Sequence, residues 1–142
     1  MKNENKARLF EETLHYWIVK LELKYTVIVK QDNRLSGQAE TTQDIPSKKY
    51  TIRYNVKNLP GKIAIINTVL HEIGHLFSNW NKNEVDSEAD AEFWALDNAK
   101  IFYPQYYKRM VKSTLKATTD MTIDLVHREG YLKALQRLGE SK

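Results

Sequence analysis

The chain has 142 residues, 42% hydrophobic and 28% charged, enough for one compact domain that buries a core and too polar to offer the roughly 20-residue apolar run of a membrane helix. It has no cysteine, which excludes a disulfide framework and thiolate metal sites and leaves histidine and carboxylate as the donors for any transition metal. The net charge of +4 is spread along the chain, with Lys48-Lys49 and Lys108-Arg109 the tightest basic pairs and no Arg/Lys stripe interleaved with aromatics, so a nucleic-acid partner is not expected.

Leu9, Phe10, Leu14, Trp17, Ile18 and Leu21 recur at the helical period and predict an amphipathic helix over about residues 5 to 20. Because its polar positions alternate with these apolar ones, this start lacks the pattern of an export signal, and a cytoplasmic location is expected. The period then changes. Leu21, Leu23, Tyr25, Val27 and Val29 alternate with polar neighbours and predict a half-buried strand ending near Gln31-Asp32-Asn33. Residues 34 to 49 carry Gly37 and Pro46 and read as loop, with a short strand around Gln38 to Thr42. Tyr50 to Val56 alternates again as a strand, and Asn58 is placed to cap a helix with Pro60 in its first turn.

That helix is predicted from about Pro60 to Trp80. On a wheel of about 100° per residue, Ile63, Ile65, Ile66, Val69, Leu70, Ile73, Leu76, Phe77 and Trp80 fill one apolar arc. His71 and His75 fall opposite, among Ala64, Asn67, Thr68, Gly74 and Ser78, so one face builds core and the other lines a cleft. After the connector Asn81-Lys82-Asn83-Glu84, a helix from about Ser87 to Phe102 stops before Pro104. Two further helical patterns follow, one with Tyr106, Tyr107, Met110, Val111 and Leu115, the other with Ile123, Val126, Leu132, Leu135 and Leu138 after Asp120.

The chemistry is concentrated in His71-Glu72-Ile73-Gly74-His75. Histidines at i and i+4 on one helix project side by side and can share a zinc ion, while the intervening glutamate lies at the edge of the same face. There Glu72 can take a proton from a zinc-activated water and pass it to a leaving amine. Gly74 is a second signal, because a mid-helix glycine costs about 1 kcal/mol against alanine and needs a packing reason. Another backbone passing close to the ligand face would supply it. A catalytic zinc takes three protein ligands, so one more is needed, and the acidic start of the next helix offers Glu84, Asp86, Glu88, Asp90 and Glu92. Carboxylates also gather at helix N-termini for dipole reasons alone, so most of the five are bystanders.

With these motifs the chain resembles the ImmA/IrrE-like small gluzincin metallopeptidases, which pair HE-x-GH with a downstream helix of the form E-x-x-A-(N/D)-x-F-A. Glu88-Ala89-Asp90-Ala91-Glu92-Phe93-Trp94-Ala95 fits that form. The resemblance puts Glu88 in the place of the zinc-binding glutamate, beside His71 and His75, with Ala91 as the small packing residue, Trp94 as the aromatic, and Glu92 orienting a ligand histidine. A competing register puts Asp86 at the ligand position and Asp90 one turn later. The resemblance covers roughly residues 21 to 104. Pro104 follows Glu88 later than the family's proline does, and the last forty or so residues have no counterpart in it. It implies an α+β zincin-like fold: an N-terminal helix, a small antiparallel or mixed sheet, the two active-site helices and C-terminal helices, in a single domain over 1–142.

The function so implied is a cytoplasmic zinc metallopeptidase acting on a protein or peptide, in such systems a transcriptional repressor, with Glu72 as general base. Two other readings stay open. One is a SprT-like protease of DNA-bound proteins, whose third ligand would be a histidine, here His127. The other is a non-catalytic protein with a structural zinc, against which an intact Glu72 argues. His15 reads as structural. His127 could be a ligand or an oxyanion donor and reads first as a surface residue, and Tyr103, Tyr106 and Tyr107 read as core or interface.

Overall fold

The computed structural model describes residues 1–44, 47, 49–78 and 82–140. Among them are five α-helices and a small three-stranded mixed sheet, an α+β fold. The chain divides into two compact units, Met1–Glu72 and Ile73–Lys142.

In the first unit the N-terminal stripe folds as α1 (Asn3–Lys20) and buries Ala7, Phe10, Leu14 and Trp17. The strand expected from Leu21 begins only at Thr26. Leu21 and Leu23 donate their N–H groups to the carbonyls of Trp17 and Ile18, and Glu22 takes the left-handed conformation at φ 51°. The alternating apolar residues there finish the helix end, because its last carbonyls need donors more than the chain needs a longer strand. The strands are β1 (Thr26–Gln31), β2 (Ala39–Asp44) and β3 (Lys49–Tyr54). β3 is central, parallel to β1 with Val29 opposite Ile52, and antiparallel to β2 with Thr41 opposite Ile52. Tyr50, Ile52 and Tyr54 alternate into the core as the period-2 pattern requires. Tyr54 stacks on Phe10, with ring centroids 4.1 Å apart, and donates its hydroxyl to the Glu11 carboxylate. Burial and that carboxylate push the Tyr54 phenol far above its ordinary pKa, so it stays a donor.

The helix predicted from Pro60 to Trp80 is α2 (Lys62–Leu76). Asn58 does not cap it. It ends a short 3-10 turn, Val56–Asn58, and its side-chain amide donates instead to the carbonyls of Leu35, Ser36 and Gly37, fastening the loop after β1. Ile65, Ile66, Val69, Leu70, Ile73 and Leu76 are buried as the wheel requires, whereas Phe77 lies past the helix end and is 50% exposed. Trp80, Asn81 and Pro46, to which the sequence assigned places, lie outside the described residues. The polar side of α2 is covered too. Thr68, His71, Glu72 and His75, which the sequence places on a cleft face, are all buried, as is Ser78 just past the helix end.

In the second unit α3 (Glu84–Phe102) starts three residues earlier than the sequence suggests, because Asn83 caps it by accepting from the Asp86 N–H. Its buried face is built from Ala89, Ala91, Ala95, Leu96 and Ala99, small enough for other helices to come close. α4 (Pro104–Ala117) has its proline in the first turn, and α5 (Leu125–Leu138) is capped by Asp124. Both pack on α3. No helix among the described residues is long and apolar enough to cross a membrane.

Candidate metal centre

Helical geometry puts His71 and His75 one turn apart on α2, with Glu72 beside them. One donor atom from each of these three side chains lies within 4.8 Å of the other two. Two imidazoles and a carboxylate at that spacing are a donor set suited to a divalent metal, and zinc is bound by such nitrogen and oxygen ligands. All three residues are close to fully buried, which keeps competing solvent from the donors.

Glu72 is 3% exposed, and a strand holds it in place: the Thr41 hydroxyl on β2 donates to Glu72 Oε1 at 2.9 Å and lies 3.4 Å from the Glu72 carbonyl oxygen. Burying a carboxylate without a partner is costly, and this hydrogen bond supplies one while leaving Oε2 for other work. Nothing in the sequence marked Thr41, since the polar run from Ala39 to Asp44 carries no chemical motif.

Glu88 meets this group at His75, with Oε1 3.3 Å from Nε2. Two glycines explain why α3 comes so close. At Gly74 a Cβ would fall 2.5 Å from the Ala91 carbonyl oxygen and 2.8 Å from the Ala91 Cα, so the backbone that the mid-helix glycine admits is that of α3. At Gly130 on α5 a Cβ would fall 2.6 Å from Glu88 Cβ and 3.2 Å from the Ala89 nitrogen. The turn of α3 from Glu88 to Ala91 is therefore met by a close approach at each end, Gly130 at Glu88 and Gly74 at Ala91.

The other carboxylates of the acidic run are placed differently. Asp86 accepts from Lys133 Nζ at 3.0 Å and from Asn83 Nδ2 at 2.9 Å, and these bonds hold its carboxyl below the usual range. Asp90 lies between Lys82 at 2.6 Å and Arg137 at 2.7 Å. Glu84 is exposed in the first turn of α3. Glu92 is buried and accepts from the Thr114 hydroxyl on α4 at 2.6 Å. Trp94, which the resemblance makes the aromatic of the motif, stacks on Phe77 with ring centroids 5.3 Å apart.

His15 is exposed on α1, while Tyr103, Tyr106 and Tyr107 are half-buried around the start of α4. His127 is not a plain surface residue. Its Nε2 is 3.5 Å from Glu88 Oε1 and its Nδ1 is 2.7 Å from Asp124 Oδ2. Burial raises the Asp124 pKa, but the backbone N–H and ring of His127 outweigh it and leave the carboxyl below its ordinary value. The signal for this pair was present as an aspartate three residues before a histidine at a helix start, where a capping side chain meets the third helical residue. No family model matches the chain, and comparison with curated proteins and with solved structures gives no significant match.

Proposed function

We propose that the chain is a zinc metallopeptidase of the zincin type that hydrolyses peptide bonds of a protein substrate, with His71, His75 and Glu88 as ligands and Glu72 as general base. The observation that carries this reading is the buried His71, Glu72 and His75 group, whose donor atoms converge within 4.8 Å. A structural zinc needs no buried carboxylate between its two histidines. Here that carboxylate is present and is held by Thr41 in one orientation.

Zinc, when bound, supplies the Lewis acidity that polarises a scissile carbonyl and acidifies an attacking water. Glu72 takes the proton of that water and delivers it to the leaving amine, a transfer worth about 10²–10⁴ in rate. The Thr41 hydroxyl occupies Oε1 and so fixes the direction in which the carboxylate works. An intracellular repressor remains the leading substrate, as the ImmA/IrrE-like resemblance implies. The absence of cysteine is compatible with a reducing compartment.

The test is metal analysis beside hydrolysis of an unfolded protein substrate. Wild-type protein should retain one zinc and cleave. Glu88→Ala should lower zinc affinity by on the order of 100-fold or more, since even outer partners of a ligand are worth about 10–100-fold. Asp86→Ala, which removes an ion pair with Lys133 and a hydrogen bond from Asn83, should leave affinity unchanged. A zinc-loaded wild type without hydrolytic activity on any unfolded protein would overturn the proposal.

Thr41→Val keeps the shape of the side chain and removes the hydroxyl. Turnover should fall roughly ten-fold with KM and zinc content little changed, given about 1.5–3 kcal/mol for a hydrogen bond to a charged group. Thr41→Ser should recover most of the loss, which steady-state kinetics on the same substrate will show.

A further inference from the structure

The metallopeptidase reading leaves Asp124 and His127 without a task. Nδ1 of His127 lies 2.7 Å from Asp124 Oδ2 and 2.9 Å from Oδ1. An ionised carboxylate only accepts hydrogen bonds, so Nδ1 is the nitrogen that donates to Asp124 and Nε2 is the one left to meet a metal. Nε2 lies 3.5 Å from Glu88 Oε1, and the same oxygen is 3.3 Å from His75 Nε2. Charge-assisted hydrogen bonds are shorter, about 2.7–2.9 Å. Donor atoms at the corners of a zinc tetrahedron with bonds of about 2.0–2.1 Å are about 3.3–3.4 Å apart; the His75 separation falls in that range and the His127 separation is slightly longer. A carboxylate bonded to one imidazole nitrogen while the other faces a ligand group is also the arrangement that orients histidine ligands. The close passage of α5 at Gly130, one turn beyond His127, holds the ring at Glu88.

We propose that His127 is a fourth protein ligand, oriented by Asp124, that closes the metal site at rest. This rests on the metallopeptidase reading, because it needs a metal at His75 and Glu88. Structural zinc sites are closed by four protein donors, and catalytic ones keep a position open. With His127 in place no position is left for water, and hydrolysis requires it to leave. It is the donor best placed to do so: its side chain is 40% exposed, against 10% for His75. A substrate segment that displaces the His127 ring from Glu88 therefore switches the site on.

The experiment uses the full chain with Zn²⁺ and Co²⁺ as probes. Zinc affinity is measured by competition with a chromophoric chelator, coordination by the visible and near-ultraviolet absorption of the cobalt form, and turnover on an unfolded protein. His127→Ala should lose on the order of 100-fold or more in zinc affinity, while its zinc-loaded form cleaves at least as fast as wild type. His127→Cys places the sole thiol of a cysteine-free chain at this position. Its cobalt form should show a thiolate-to-cobalt charge-transfer band, a positive signature that serves even where the alanine variant folds poorly. Unchanged affinity with no such band overturns the proposal. So does a 100-fold fall in turnover at unchanged affinity, which would make His127 a donor to the substrate. If wild type binds neither metal, or binding survives loss of both His71 and His75, the metallopeptidase reading falls as well. If binding needs those two histidines and is indifferent to position 127, only this inference falls.

Discussion

Glu72→Gln should fold and bind zinc like the wild type and hydrolyse protein roughly 10²–10⁴ times more slowly. The substitution suits its purpose because glutamine is nearly isosteric and its carbonyl oxygen can still accept the Thr41 hydroxyl that holds Oε1 at 2.9 Å. Packing and the local hydrogen bond persist, and only the capacity to accept and return a proton is lost. The side chain is 3% exposed, so removing its charge carries no solvation penalty that would destabilise the fold. Thermal unfolding and zinc content serve as controls, and kcat/KM on an unfolded substrate is the readout. A variant with undiminished activity would transfer the site to the structural-zinc reading, because no other role for Glu72 would then need its charge.

How much of this was legible in the sequence depends on how far apart in the chain the interacting residues lie. His71, Glu72 and His75 were readable because one helical turn fixes their relation, whatever surrounds them. Gly74 was readable because its conformational cost demanded a neighbour, and the neighbour is Ala91 of α3. The elements adjoining them were readable in kind but not in their ends. Leu21 to Tyr25 alternates like a strand, yet Leu21 to Leu23 closes α1, since unsatisfied carbonyls at a helix end outrank a short apolar alternation. Phe77 sits in phase with the apolar arc, but α2 stops at Leu76, and the ring stacks on Trp94 instead of entering the core. Thr41 was invisible: it reaches Glu72 across 31 residues, and one threonine in a polar strand carries no signal without the sheet register. His127 was legible as a candidate but not in its partner, because only the approach of α5 to α3 brings it to Glu88.

Gly74→Ala should destabilise the fold and weaken the metal site together. The new Cβ would lie 2.5 Å, 2.8 Å and 3.0 Å from the oxygen, Cα and carbonyl carbon of Ala91, all backbone atoms that cannot rotate aside. Overpacking of this kind costs about 1–3 kcal/mol or more, and the roughly 1 kcal/mol that alanine gains over glycine in a helix offsets only part of it. A fall in Tm of roughly 5 °C is therefore expected in the zinc-free protein. Gly61→Ala is the matched control, since a Cβ there meets nothing within 4 Å, and its Tm should not drop. The consequence reaches beyond stability. Relief of the clash must move α3 away from α2, and Glu88 lies one turn before Ala91 on the same helix, so its 3.3 Å contact with His75 should open together with the backbone. Excess zinc stabilises a folded protein according to its affinity. Gly74→Ala should thus show a smaller zinc-induced rise in Tm than wild type, whereas a variant damaged only in packing would keep the full rise. That difference, read by calorimetry with and without zinc, separates a glycine that merely fits from one that sets the distance between the ligands.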